Sequence, residues 1–175
     1  TYITLNTILY DHDMKLMKAI VDAAKKNKIS AIIASDPAAM QYIKDSGVSL
    51  HISTQTNITN IETVRYFSNF ADVMILAREL TLKQVAQIAR EIKRKQQKGP
   101  AGELIKIEMF VHGALCMAVS GKCYLSLHSH NASANRGACI QNCRREYVVK
   151  DVEGDAELLI DNQYIMSAKD LCTID

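Results

Sequence analysis

Four of the five cysteines of this chain lie in one short segment, at Cys116, Cys123, Cys139 and Cys143, in the pattern C-x6-C-x15-C-x3-C. Thiolates are ligands for zinc and for iron–sulfur clusters alike. Structural zinc sites commonly use two short cysteine pairs, and only Cys139 and Cys143 are that close. The wide first pair points to an iron–sulfur cluster, with zinc as the alternative. Cys139 and Cys143 are four apart, so one helical turn would set both sulfurs on one side. The segment around them also holds Gly113, Gly121 and Gly137, three of only seven glycines in the chain. A stretch so rich in glycine and small polar residues cannot build its own apolar core, and a shared metal centre would hold it. The competing reading is a set of buried core thiols. Cys172, the fifth, reads as a core thiol or a substitute ligand.

Other side chains could handle protons, substrates or phosphates. Glu108 closes an apolar run and is a candidate acid or base; its alternative is a structural carboxylate bonded to loop N–H groups. His112 is a candidate catalytic contact, or else a satisfied buried histidine. His51 and Gln55 alternate with Ser53 along one strand face, as substrate-binding groups or as a polar layer inside a barrel. Arg78, at a strand end, could clamp a carboxylate or phosphate through its planar fork, or pair with Glu79. Arg136, Arg144 and Arg145 flank the cysteines, where a substrate phosphate would approach. Lys93, Arg94, Lys95 and Lys98 crowd one helix end, and read as solvated surface suited to the helix dipole.

These residues need a scaffold, and the pattern supplies one. Short apolar runs (TYITLNTIL, AIIA, VSLHIST, VMILA, IKIEMFV) alternate with amphipathic helical stretches at 11–27, 37–46, 61–70 and 82–97. Asp13 is a candidate cap for the first helix. Asp36-Pro37 opens the second, and Gly47 stops it. Alternating βα units with uninterrupted apolar strands predict a parallel sheet. No Gly-rich phosphate loop follows the first strand, which excludes a Rossmann fingerprint. Polar groups gather after successive strands instead, where a (β/α)8 barrel places its chemistry. Five strands, with a possible sixth at 163–167, predict an incomplete (β/α)8 barrel: one partial domain over 1–175, with the cysteine-rich segment 108–147 inside it. A chain that begins at Thr1 and ends after an apolar run reads as a fragment of something longer.

The chain has 175 residues, 48% of them hydrophobic, and a net charge of +2, which suffices for one core and neither announces nor excludes nucleic acid. No apolar run reaches the ~18 residues of a membrane span, and no secretion signal opens the chain. An odd cysteine count without such a signal suits a reducing, cytoplasmic compartment. Open sheet edges would invite a second copy to pair, so a homo-oligomer is expected. A protease finds little support: there is neither an H-E-x-x-H helix nor a G-x-S-x-G elbow.

Glu108, Phe110, Gly113, Cys116, Gly121, Cys123 and Ser126 together resemble the signature of peptidase family U32, the collagenase-like peptidases. NRGACIQNCRREY at 135–147, HISTQTN at 51–57, LAREL at 76–80 and YIMSAKDLC at 164–172 are similar to the same family. The resemblance covers nearly the whole chain. It implies a (β/α)8-type barrel, a [4Fe–4S] cluster on Cys116, Cys123, Cys139 and Cys143, and oxygen-independent hydroxylation. Implied substrates are a transfer-RNA uridine, a ribosomal-RNA cytidine or a ubiquinone precursor, with prephenate as hydroxyl donor in some branches. The NRGAC-x3-CR-x2-Y run most resembles the transfer-RNA branch, which makes RNA the expected partner. Proteolysis is the alternative function, and a structural metal site the third.

Overall fold

A computed structural model describes residues 1–114, 116, 118–120, 122–155, 157–160 and 170–172. It divides into two compact units, Thr1–Met109 and Phe110–Asp175.

The first unit is a five-stranded parallel sheet in the order β1-β2-β3-β4-β5. The strands are β1 (Tyr2–Leu5), β2 (Ala31–Ala34), β3 (Leu50–Ile52), β4 (Val73–Ile75) and β5 (Lys106–Glu108). Between them run α1 (Met14–Lys26), α2 (Pro37–Ser46), α3 (Ile61–Phe67) and α4 (Leu82–Arg94). Strands in sequence order joined by helices are the architecture of an incomplete barrel, as the alternating pattern predicts.

Local chemistry starts and stops the helices. Asp36 accepts hydrogen bonds from the N–H groups of Ala38 and Ala39, Pro37 fills the first position, and Gly47 ends α2 at φ +77°. Thr81 and Gln84 form a reciprocal capping box on α4. Asn60 caps α3 through the Thr63 N–H. Asp13 behaves differently from expectation. A 3-10 turn, Asp11–Asp13, precedes α1, and the Asp13 carboxylate accepts from the Tyr10 N–H behind it rather than from α1.

The register sorts residues onto two faces, because successive strand residues point oppositely. Leu5, Ala34, Ile52, Met74 and Ile107 stand level across the five strands. All five face the helices, packing with Met17 and Val21 of α1, Met40 and Ile43 of α2, Val64 of α3, and Ile88 and Ile92 of α4. Ile52 and Met74 are fully buried there. One position earlier, Thr4, Ile33, His51, Val73 and Lys106 form a second level row on the opposite face. The main apolar core lies on the helix side, while the other face mixes buried Ala31, Val73 and Ile75 with Thr4, His51, Lys106 and Glu108.

The second unit begins where the sequence suggests that one strand continues to Val111. That strand ends at Glu108, and a new one, β6 (His112–Ala114), pairs antiparallel with β9 (Asp170–Cys172). Between them lie α5 (Leu125–His130), two 3-10 turns at Ala134–Arg136 and Asn142–Arg144, and a hairpin of β7 (Tyr147–Lys150) with β8 (Glu157–Ile160). The hairpin is an addition to the alternating pattern, and two apolar runs around Gly154 carry the signal for it. The possible strand at 163–167 lies outside the described residues.

Candidate functional site

Each unit carries its own constellation. In the first, His51 on β3 and Glu108 at the end of β5 lie on the sheet face turned away from the helices, with β4 between them. His51 Nδ1 is 3.1 Å from Glu108 Oε1, and their side chains are 7% and 41% exposed. The pair is at ion-pair distance but lacks the alignment of a hydrogen bond, so His51 Nδ1 is a buried polar atom without a hydrogen-bond partner. The Tyr2 ring packs against the imidazole, with centroids 4.8 Å apart. Burial pushes the His51 pKa below its ordinary 6.5, and the Glu108 carboxylate pulls against that shift. The outcome is a largely neutral imidazole behind a carboxylate that reaches solvent. A carboxylate so placed can take or give a proton at its exposed oxygen.

The strand ends beside it are tied together. Ser35 Oγ lies 2.8 Å from the Asn6 carbonyl and 3.0 Å from Gln55 Oε1. The single Ser35 hydroxyl proton is shared between these two acceptors, which ties the ends of β1, β2 and β3 together. Gln55 sits in a 3-10 turn, Thr54–Thr56, directly after β3. Arg78 follows β4, partly buried. Arg94 and Lys95 hold ion pairs with Glu91 and Glu62 on an exposed helix end.

In the second unit, α5 serves as the spine of the cysteine segment. Ser126, buried on α5, accepts the Ile140 N–H at 3.2 Å and lies 4.0 Å from Cys139 Sγ. Ser129, on the same helix, receives a hydrogen bond from Asn142 Nδ2. Tyr147 donates its hydroxyl to the Asn142 carbonyl at 2.8 Å, and Asn135 Oδ1 accepts the Cys123 N–H at 3.1 Å. These contacts fix the backbone on either side of three cysteines. Cys139 and Cys143 do not share a helical turn as the spacing suggests. Gly137 (φ +86°) and Gln141 (φ +56°) each turn the chain left-handed, and only Asn142–Arg144 forms a short 3-10 turn.

Burial raises the Cys143 pKa first, Cys116 and Cys139 raise it further, Arg144 pulls it down, and Cys123 adds to the rise. Among the described residues, no three His, Cys, Asp or Glu side chains stand close enough to hold a metal ion. Four thiols in one segment are nonetheless a donor set whose chemistry suits zinc or an iron–sulfur cluster. His112, at the start of β6, is exposed rather than buried. Arg136 and Arg144 are partly buried, in the two 3-10 turns that bracket Cys139.

One feature escaped the motif reading although it is legible in the chain. From Met109 to Arg145 there is no Asp or Glu, while Lys122, Arg136, Arg144 and Arg145 carry positive charge. The cysteines thus lie in a wholly cationic stretch.

The model of peptidase family U32 matches residues 1–175. The chain belongs to that family. It is 61% identical, over 99% of its own length and 42% of the relative's, to a protein named collagenase from Porphyromonas gingivalis. It is 34% identical to the 23S rRNA 5-hydroxycytidine synthase of Escherichia coli, over 97% of the chain and 24% of the relative. It is 31% identical to tRNA hydroxylation protein P1 of Bacillus subtilis, over 99% of the chain and 40% of the relative. The chain thus spans less than half the length of each. No solved structure matches it significantly. Among the described residues, no helix is long and apolar enough to cross a membrane.

Proposed function

We propose that this chain is the cluster-bearing part of a protein that hydroxylates an RNA base, with Cys116, Cys123, Cys139 and Cys143 holding a [4Fe–4S] cluster. The observation that carries the reading is a set of four cysteines, C-x6-C-x15-C-x3-C, within a stretch that has no acidic residue. Relatives named for tRNA and rRNA hydroxylation support the substrate class.

The bound cluster would supply one-electron chemistry. The chain's own residues account for the rest. Ser126, Asn135 and Asn142 set the backbone that presents the thiols. Arg144, close enough to act on Cys143, would offset the negative charge of the ligand set. With Arg136 it would also receive substrate phosphates, which position a strand without reading its sequence. On the other unit, Glu108 would take or give a proton at its exposed carboxylate, with His51 stabilising the charge at Oε1. Gln55 would bind a substrate group through its side-chain amide, and Arg78 would anchor an anionic group.

Nucleoside analysis of cellular RNA tests the reading. With the full-length protein carrying Cys139→Ala, a hydroxylated nucleoside is lost while the protein remains folded. Unchanged modification would contradict it.

A collagenase-like peptidase is the second reading, favoured by the 61% identical relative's name. The second unit does bring Ser129, His130 and Asn142 together, with Ser129 Oγ 2.9 Å from His130 Nδ1. That serine also donates to the Leu125 carbonyl at 2.7 Å, which spends its proton within the helix. It is braced rather than poised as a nucleophile. Gelatin cleavage by a Cys139→Ala protein would revive this reading.

A further inference from the structure

Ser126 departs from the ordinary behaviour of a helical serine. A serine hydroxyl in a helix usually returns its proton to the carbonyl four residues back. Ser129 does so, to Leu125. Ser126 is 2% exposed, and its oxygen already accepts the Ile140 N–H. A buried hydroxyl must also place its proton, and the acceptor it faces is Cys139 Sγ, at 4.0 Å. A neutral thiol is a weak acceptor, whereas a thiolate is a strong one. A cluster-bound Cys139 would be a thiolate, and the Ser126 hydroxyl is the donor that faces its sulfur.

We propose that Ser126 is a positioning residue that donates a hydrogen bond to the Cys139 thiolate and so raises the reduction potential of the cluster. The inference rests on the proposed cluster ligation. Its physical basis is general: hydrogen bonds to ligand sulfurs withdraw electron density and favour the reduced cluster. The same hydroxyl holds the Ile140 N–H, so Cys139 and the backbone after it are fixed by one atom. Cys123 has a different arrangement, with its backbone N–H held by Asn135.

The test uses the full-length protein, purified without oxygen, as wild type, Ser126→Ala and Ser126→Thr. Iron content and a mediator-controlled redox titration, followed by visible absorbance, are read on each. The expected result is equal iron in all three, Ser126→Thr titrating with wild type, and Ser126→Ala titrating at a lower potential. Ser126→Ala with full iron and an unshifted potential would overturn the proposal. So would loss of iron from Ser126→Ala alone, which would make the residue a structural pin. Iron-free wild type would overturn the cluster reading itself, and this inference with it.

Discussion

His51 Nδ1 and Glu108 Oε1 lie 3.1 Å apart across an intervening strand, one side chain buried and the other open to solvent. Burial lowers the His51 pKa, and Glu108 opposes that shift. A histidine with a depressed pKa is protonated more readily in the unfolded chain. Its contribution to stability is therefore full above about pH 6.5 and declines as pH falls below that value. The expected imidazole titration by NMR has its midpoint below 6.5, and lower still in Glu108→Gln, which lacks the opposing charge. A His51→Asn variant should show a flatter decline of stability between pH 7 and 5 in urea melts. A His51 midpoint above 6.5 would contradict this picture.

The two faces of the sheet predict different tolerances. Ile52 is fully buried against the helices, so Ile52→Ala should cost about 2–5 kcal/mol in chemical denaturation. Gly47 closes α2 at φ +77°, and Gly47→Ala should cost roughly 1–2 kcal/mol although the space around it is open. Here the loss comes from backbone conformation and not from packing.

Phosphate contact at Arg136 and Arg144 has a salt signature. Each substitution to Ala should weaken binding of the full-length protein to RNA about equally across sequences. It should also reduce the slope of log affinity against log salt by about 0.7–0.9 per lost contact. Lys95→Ala should change neither, because its ammonium is engaged 2.7 Å from Glu62. Equal losses at Lys95 and Arg144 would point to a diffuse cationic surface.

What could be read in the chain was mostly local. Asp36, Pro37 and Gly47 bound α2 by their own chemistry, and AIIA and VMILA read as buried strands of a parallel sheet because helical stretches alternate with them. The break between β5 and β6 was not legible, because Met109, Phe110 and Val111 are good strand formers. What ends the strand is the chain's departure from the sheet. The Cys139–Cys143 helical turn failed because Gln141 adopts φ +56°, a conformation that no propensity assigns to glutamine. His51 and Glu108 were each singled out, but their contact depends on the β3–β4–β5 register, which only the fold supplies. Ser126 was recognised in a motif, and its hydrogen bonds to Ile140 and Cys139 became visible only once α5 was placed.

The central claim is that four cysteines in this chain hold an iron–sulfur cluster. Its most direct test is iron, sulfide and zinc analysis of the full-length protein purified without oxygen, alongside a Cys116→Ala variant. The account predicts about four irons per chain in wild type, a visible iron–sulfur absorbance band, and loss of both in the variant. Stoichiometric zinc without iron, or iron retained after Cys116 is replaced, would contradict it.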